Sequence, residues 1–254
     1  MDSPAVLAAF DEQMRRHPVA GPGVRIAVDE HVTRMFGDSW SAVVWSGLTT
    51  ENADEVIAAE VARAAGSLEW KLYSHDRPAD LPHRLRAAGL APEPVETLMV
   101  AEIADLDLPV PVPVGVRLDV MIDPSEVATM LAVHDAVFGP GATHPSVAEA
   151  VGTALTQRPR PIEAVVARAG DVAVSAGRVE FHDGTEFASL WGGGTLPEWR
   201  GRGVFRALVG HRAVLARERG FRYLQVDALP ASRPILQRMG FHPLAETTPW
   251  VHGA

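Results

Sequence analysis

The segment Gly194-Thr-Leu-Pro-Glu-Trp-Arg-Gly-Arg-Gly-Val-Phe-Arg-Ala-Leu208 decides how this sequence is interpreted. It begins at the end of a predicted strand and runs directly into the longest amphipathic helix that the sequence predicts. Pro197 ends the strand, because proline has no N–H group for the ladder. Gly201 and Gly203 then allow a tight turn that brings backbone N–H groups close to a ligand. The segment therefore predicts a strand, a glycine-containing turn and a helix in direct succession.

This turn is predicted to bind an anion. The first N–H groups of a helix have no acceptor within the helix, and the helix dipole adds positive potential at the same end. A diphosphate suits such a site, and Arg200 and Arg202 add charge for it. The turn is not a Walker loop, since no Gly-Lys-Ser/Thr closes it, and it lacks the third glycine of a dinucleotide fingerprint.

The residues Arg200-Gly-Arg-Gly-Val-Phe205 resemble the Arg/Gln-x-x-Gly-x-Gly/Ala signature of the GCN5-related N-acetyltransferase (GNAT) family. The flanking sequence agrees, because a long helix, a strand, a short helix and Met239-Gly-Phe241 follow in the same order. The resemblance covers about 140 residues, from 115 to 254. It implies an acetyl-coenzyme A-dependent N-acetyltransferase that acts on an amine of a small molecule or a protein.

The resemblance also implies a set of residues that bind acetyl-CoA. The sheet is expected to splay beside the strand that precedes the loop, with the pantetheine arm along that strand and the pyrophosphate on the loop. The residues that this places at the cofactor are Gly194, Thr195, Leu196, Arg200, Gly201, Arg202, Gly203, Val204 and Phe205.

The sequence departs from the family at two positions. Phe205 replaces the last small residue of the signature, and Leu236 replaces the tyrosine that often protonates the departing thiolate. Ser232 lies one turn before Leu236 on the same predicted helix, so its hydroxyl is a candidate donor to the thiolate. The alternative is that Ser232 only caps this helix.

The base that deprotonates the amine is less well defined. Glu186 is the candidate, with Glu180 and His182 on the same predicted hairpin, and the alternative is that all three face solvent. The family's usual acidic positions are replaced by the three glycines 192–194, which either widen the cleft for a bulky acceptor or mark a bulge. Because the family's usual tyrosine and acidic residues are both replaced, a non-catalytic acyl-CoA sensor or interaction module is the alternative function.

The chain divides at Asp105-Leu-Asp-Leu-Pro-Val-Pro-Val-Pro-Val114, where alternate prolines favour a stiff, extended segment. We predict an N-terminal domain over 1–108, a linker over 109–114 and the acetyltransferase domain over 115–254. A strand, short helix and glycine recur near residues 68–90 and 221–241, so the first domain is predicted to be a degenerate copy. A tandem member such as mycothiol synthase is a narrower alternative.

Hydrophobic periodicity predicts an α+β, or mixed α/β, fold with two GNAT-like units, each a mainly antiparallel sheet flanked by helices. Predicted strands cover 24–36, 40–48, 68–74, 95–103, 115–121, 162–169, 172–182, 185–195 and 221–228, with a final pair near 241–252. Predicted helices cover 51–65, 80–88, 124–138, 146–157, 203–219 and 231–239. The loop Ser46-Gly-Leu-Thr-Thr-Glu51 lacks the arginines of its counterpart and places an acid at the helix start, which predicts one cofactor per chain.

Composition narrows the class of protein. The 254 residues carry a net charge of -9, which argues against a nucleic-acid partner and suits a cationic substrate. There is no cysteine, and the histidines show no metal-ligand spacing, so no metal is expected. We expect a cytoplasmic protein without a membrane segment, from a bacterium given its arginine-rich composition, and a homodimer is one option.

Overall fold

The computed structural model describes residues 1–141 and 143–253. The strands in this part of the chain are β1 (Arg25–Val28), β2 (Val32–Phe36), β3 (Trp40–Ser46), β4 (Ser67–Tyr73), β5 (Ala91–Pro92), β6 (Glu96–Glu102), β7 (Val116–Val120), β8 (Ile162–Ala169), β9 (Val172–Phe181), β10 (Phe187–Thr195), β11 (Tyr223–Ala228) and β12 (His242–His252). The α-helices are α1 (Ser3–Phe10), α2 (Ala53–Arg63), α3 (Leu81–Ala87), α4 (Val127–Phe138), α5 (Pro145–Thr156), α6 (Val204–Glu218) and α7 (Arg233–Arg238). A π-helical turn, Asp11–Arg16, continues α1.

All of these strands form one sheet, in the order β1-β2-β3-β4-β12-β6-β11-β10-β9-β8-β7, with β5 paired to β12. Each half contributes three antiparallel strands in succession, a helix, a strand parallel to the third, a second helix and a last strand. This repetition confirms the predicted mixed fold of two GNAT-like units, the first a degenerate copy. The two units share a single sheet.

The last strand of each half pairs within the other half. β6 pairs antiparallel with β11, and β12 pairs antiparallel with β4. β6 and β12 also pair with each other, so they occupy the middle of the sheet. Residues 98–101 of β6 have no exposed surface. Burial of this strand on both faces therefore depends on residues from both halves.

Helices cover both faces of the sheet. On one face, α2 and α3 pack on Trp70 and its neighbours, while α6 packs on Leu190 and Leu224. On the opposite face, which we call the front face, α1 packs on Phe187 and Tyr223, and α4 and α5 cover β8 and β9. The front face also carries the side chains discussed below, because alternate residues of a strand point to the same side.

Several boundaries differ from the sequence-based prediction. Residues 24–36 form a hairpin of two strands, because Asp29 accepts hydrogen bonds from the amides of His31 and Val32 and turns the chain. The final strand pair is one long strand, β12, with a register shift between Pro243 and Ala245. Helix α1 was not predicted. Within the described residues, no helix is both long and apolar enough to cross a bilayer.

The proline-containing linker lies against the second half. Leu106 and Leu108 pack on the core beneath α6. Gly210 of α6 allows close approach, since a β-carbon there would lie 2.4 Å from a Val110 methyl group. The linker is therefore anchored by packing. The domain boundaries at 108 and 115 remain a prediction.

Candidate functional site

The parallel strands β10 and β11 separate partway along their length. Their pairing runs from Phe187↔Tyr223 to Ser189↔Gln225, and both strands then continue without each other. A cleft of about 550 Å³ lies at the gap. Its wall includes most of the residues predicted to bind the cofactor: Gly194, Thr195, Arg200, Gly201, Gly203, Val204 and Phe205. The structure thus brings these residues together around one cavity.

The loop between β10 and α6 has the conformation that its glycines permit. Gly201 and Gly203 have φ values of 71° and 85°, in the left-handed region. Gly203 is the N-cap of α6, and no side chain caps that helix. The first N–H groups of α6 are consequently available to a ligand at the positive end of the helix dipole.

The two arginines of the loop have partners in the protein. The Nε atom of Arg200 donates to the Thr195 carbonyl at 3.0 Å, which ties the loop to the end of β10. The guanidinium of Arg202 lies 4.8 Å from the Trp199 ring centroid. Both side chains are exposed, and Arg200 lines the cleft whereas Arg202 is not part of its wall. Leu196 is half-buried, and its amide donates to Val174.

Phe205 replaces the small residue of the signature without closing the loop. Its ring packs on the core beneath the sheet and approaches Gly193 from that side. Phe205 is half-buried and also lines the cleft. The helix start therefore keeps the backbone geometry that an anion requires.

The three glycines of β10 form a bulge. The register with β9 shifts between Trp191 and Gly194, and Gly192 has a φ of 59°. A β-carbon at Gly192 would lie 2.6 Å from the His134 ring, and one at Gly194 would lie 2.9 Å from Val137. The glycines thus let α4 pack closely on the strand. They mark a bulge, and two of them, Gly193 and Gly194, also line the cleft.

Ser232 lines the cleft at the N-cap of α7. Its Oγ atom donates to the Leu229 carbonyl at 3.1 Å, and no hydrogen bond caps the helix through this side chain. Leu236 points away from the cleft into the core, with 1% of its surface exposed. The neighbouring Ile235 takes the place at the cleft wall.

Glu186 lies at the opposite end of β10 from the cleft. Its carboxylate accepts hydrogen bonds from Gln13 at 3.1 Å and from Arg222 at 3.2 Å. About seven residues of strand, or roughly 23 Å at the usual rise, separate it from Gly193. The structure therefore does not bring Glu186 and Ser232 together. Glu186 joins α1 and its π-helical extension to the sheet.

The other two hairpin candidates are also engaged. Glu180 accepts a hydrogen bond from Arg178 at 2.7 Å on the front face. His182 contacts the Ser189 hydroxyl, and burial lowers the pKa of its imidazole. Because the imidazole is half-buried and held by Ser189, His182 is a structural partner of the hairpin.

Two buried polar residues lie beside the bulge, and neither was predicted from the sequence as part of the site. His134 of α4 is 1% exposed, its Nδ1 atom lies 3.1 Å from the Thr143 hydroxyl, and burial and nearby Arg178 lower the pKa of its ring. Arg212 of α6 lies under the other side of the bulge. Its Nη1 atom donates to the Arg178 carbonyl at 3.0 Å, and burial lowers its pKa to about 9. The burial of Arg212 could have been predicted from the sequence, because it lies on the apolar stripe of α6 between Leu208 and Ala216.

A second and larger cavity, of about 780 Å³, lies on the front face. Its wall includes two tryptophans and several charged side chains, among them Trp40, Glu69, Glu149, Arg178, Glu180 and Trp191. Trp191 lines this cavity while Gly193, two residues later, lines the cleft. The bulge therefore lies between the walls of the two cavities, which share no residue. Within the described ranges, no group of three His, Asp or Glu side chains could hold a metal ion.

One protein family and several solved structures are similar to this chain. Residues 133–241 match the acetyltransferase (GNAT) family. A GCN5-related N-acetyltransferase from Kribbella flavida superposes with a TM-score of 0.62 at 18% identity, over 99% of this chain and 94% of that one. A tandem GNAT protein from the clavulanic acid biosynthesis pathway gives a TM-score of 0.55 at 16% identity, over 92% and 84% of the two chains. A GCN5-related N-acetyltransferase from Sphaerobacter thermophilus gives 0.58 at 14% identity, over 98% and 84%. Comparison with curated protein sequences finds no match.

Proposed function

Because residues 133–241 form a domain of the acetyltransferase (GNAT) family, we propose that this protein transfers the acetyl group of acetyl-CoA to an amine. The nitrogen of the neutral amine forms a bond to the acetyl carbon as the C–S bond breaks. The nitrogen loses a proton, and the departing thiolate gains one. A small-molecule amine is the acceptor that the size of the front-face cavity favours.

One observation carries the proposal. The cleft in the gap between β10 and β11 reaches the uncapped start of α6, so one continuous cavity offers strand edges and helix amides together. An elongated thioester with a diphosphate at one end needs both. We assign the pantetheine to the strand and the diphosphate to the loop, through the residues Gly194, Thr195, Leu196, Arg200, Gly201, Arg202, Gly203, Val204 and Phe205.

Binding can be tested by a substitution in the loop. Gly203→Val forces a branched side chain into a left-handed conformation, which shifts the loop and its amides away from the diphosphate. Calorimetry with acetyl-CoA is expected to show at least a tenfold loss of affinity. Gly184→Val is the matched control, because Gly184 has a φ of 87° in an open turn outside the cleft wall. Equal affinity in the two variants would rule out the proposed loop site.

Catalysis needs a separate test, because Leu236 is buried and no tyrosine lies at the thiolate's expected position. This observation supports the alternative of a non-catalytic acyl-CoA sensor. Free thiol released from acetyl-CoA is measured across a panel of amines. Thiol release with any amine supports the transferase, whereas binding without release across the panel supports the sensor.

A further inference from the structure

The front-face cavity is built by both halves of the chain. Trp40 lies on β3 and Trp191 on β10, five positions apart in the sheet, yet both line the same cavity. The sheet therefore bends around its front face. A volume of about 780 Å³ falls within the range of small-molecule sites, about 300–1,000 Å³.

The charged groups of this cavity are mostly acidic. Its wall carries Asp38, Glu69, Glu149 and Glu180 against the single arginine Arg178. Arg178 is already paired with Glu180 at 2.7 Å. Asp38 is paired with Arg25 at 3.1 Å, so Glu69 and Glu149 are the acids of the wall for which no ion pair is found in the described part of the chain.

Glu69 is the acid of this group that most needs a partner. No hydrogen bond or ion pair to its carboxylate is found in the described part of the chain, and burial raises its pKa. The nearest cation, Lys71, is held by Glu96 at 2.8 Å and by Asp227 at 3.2 Å. Glu69 is half-buried, and a cation bound in the cavity would supply the partner that its carboxylate lacks.

The apolar part of the wall includes two indole rings beside aliphatic side chains. Trp40 is contributed by the first half and Trp191 by the second, and the Nε1 atom of Trp191 is buried without a hydrogen-bond partner. An arginine already lies over the Trp191 ring, with its Cζ atom 5.8 Å from the centroid. Indole rings attract organic cations and provide apolar contact area.

We propose that this cavity is the acceptor site and that it selects an organic monocation with an apolar or aromatic body, whose charge is bound by Glu69. The assignment as acceptor site rests on the proposed function, and its structural support is that Trp191 at this cavity and Gly193 at the cleft flank the Gly192 bulge. The selectivity for a cation rests on the cavity alone. The first half of the chain then supplies both the carboxylate and one of the two indoles.

Binding of three compounds to the full-length protein tests the selectivity, with calorimetry and without acetyl-CoA. The compounds are 4-phenylbutylamine, 4-phenylbutan-1-ol, which lacks the charge, and butylamine, which lacks the ring. The alcohol and butylamine are each expected to bind at least tenfold more weakly than 4-phenylbutylamine. Equal binding by either compound, or no binding by any of them at millimolar concentration, would overturn the proposal.

Two variants locate the charge contact. Glu69→Gln is expected to abolish the preference for the amine over the alcohol, while Glu55→Gln, which removes the same charge from the exposed surface of α2, leaves it intact. A preserved preference in Glu69→Gln would overturn the assignment to this residue. Acetyl-CoA affinity is measured in parallel. Loss of cofactor binding with intact amine selectivity would contradict the proposed function alone, and the reverse result would contradict this inference alone.

Discussion

In the second half of the chain, β10 and β11 separate after Ser189 and the gap between them opens into the cleft. In the first half, β3 and β4 separate after Val43, and the side chain of Arg15 lies at the gap. Its Nε atom donates to the Val44 carbonyl of β3 at 3.1 Å, and its Nη2 atom donates to Asp76, beyond β4, at 2.8 Å. The same divergence of parallel strands is thus an open cleft in one half, where we propose the cofactor site, and an internal contact in the other.

The occupant of the first gap comes from the π-helical turn after α1. Arg15 is 3% exposed, pairs with Asp11 at 2.7 Å and lies 3.9 Å from the Tyr73 ring centroid. The loop that follows β3 has Glu51 at the start of the helix region, where an anionic ligand would be repelled. A cofactor site can therefore be lost in two ways at once, by filling the gap and by changing the charge of the loop.

The sharpest test of this comparison separates the halves. Because β6 and β12 are exchanged, we expect residues 1–108 and 109–254 each to lack a central strand and to show no cooperative thermal unfolding alone. Mixing or co-expressing the two fragments should restore one cooperative transition and acetyl-CoA binding. Independent folding of 109–254 with full affinity would show that the exchanged strands are dispensable.

The second test removes the side chain that fills the first gap. Arg15→Leu leaves Asp76 buried without its partner, and loss of one member of a buried pair costs about 3–5 kcal/mol of unfolding free energy. Chemical denaturation measures this loss. Arg25→Leu, which breaks an exposed pair with Asp38 in the same half, is the control and should leave stability nearly unchanged. A calorimetric titration of Arg15→Leu should still give one acetyl-CoA per chain. A value of two would mean that the Arg15 side chain alone, without the charge of the loop, prevents binding in the first gap.

The third test uses acid. His134, His182 and His211 all lie in the second half, and burial lowers the pKa of each in the folded state. Below about pH 6.5 the unfolded chain binds protons that the folded chain does not, so stability is lost as the pH falls. Each histidine contributes a slope of up to about 1.4 kcal/mol per pH unit.

The exchanged strands determine how this acid effect appears in the melting curve. We expect a single thermal transition that moves to lower temperature between pH 6.5 and pH 5, because the halves unfold together. In His134→Gln the transition should move less over the same range. Two separate transitions at low pH would show that the halves unfold independently.

The smallest expected effect concerns proton donation in the cleft. Ser232→Ala is predicted to lower kcat severalfold with acetyl-CoA affinity nearly unchanged, because a bond to the thiolate strengthens only as charge develops. Asp80→Ala is the control, since Asp80 is the N-cap of α3, the counterpart of α7 in the first half. If kcat is unchanged and the melting temperature falls, Ser232 has only a structural role through its hydrogen bond to Leu229.

Local features were the predictable part of this structure. The glycines of the loop, the hairpin turns and the amphipathic stripe of α6 depend on residues close in the sequence, and their positions agree with the fold. The family resemblance extended this to the cofactor cleft, which gathers most of the residues expected there.

Features that depend on distant residues were not predictable. Glu186 was predicted to lie near the cleft because β10 leads into the cleft. Glu186 precedes the first residue of β10, however, and the cleft lies at the last residues of that strand. The exchange of β6 and β12 leaves no local trace, since either partner satisfies the same apolar pattern. Arg15 is bound by Val44 and Asp76, which lie 29 and 61 positions away, and Glu69 shares its cavity with Trp40 and His144, which lie 29 and 75 positions away.

The exchanged strands also set an order of events during synthesis. β4 ends at Tyr73, whereas β12, which covers its edge, begins about 170 residues later at His242. At roughly 5–20 residues per second, the ribosome needs on the order of ten seconds or more to supply that strand. Throughout this time the first half presents an unpaired, apolar strand edge, a known hazard for aggregation. The nascent chain is therefore exposed to aggregation through β4 until β12 has been synthesised.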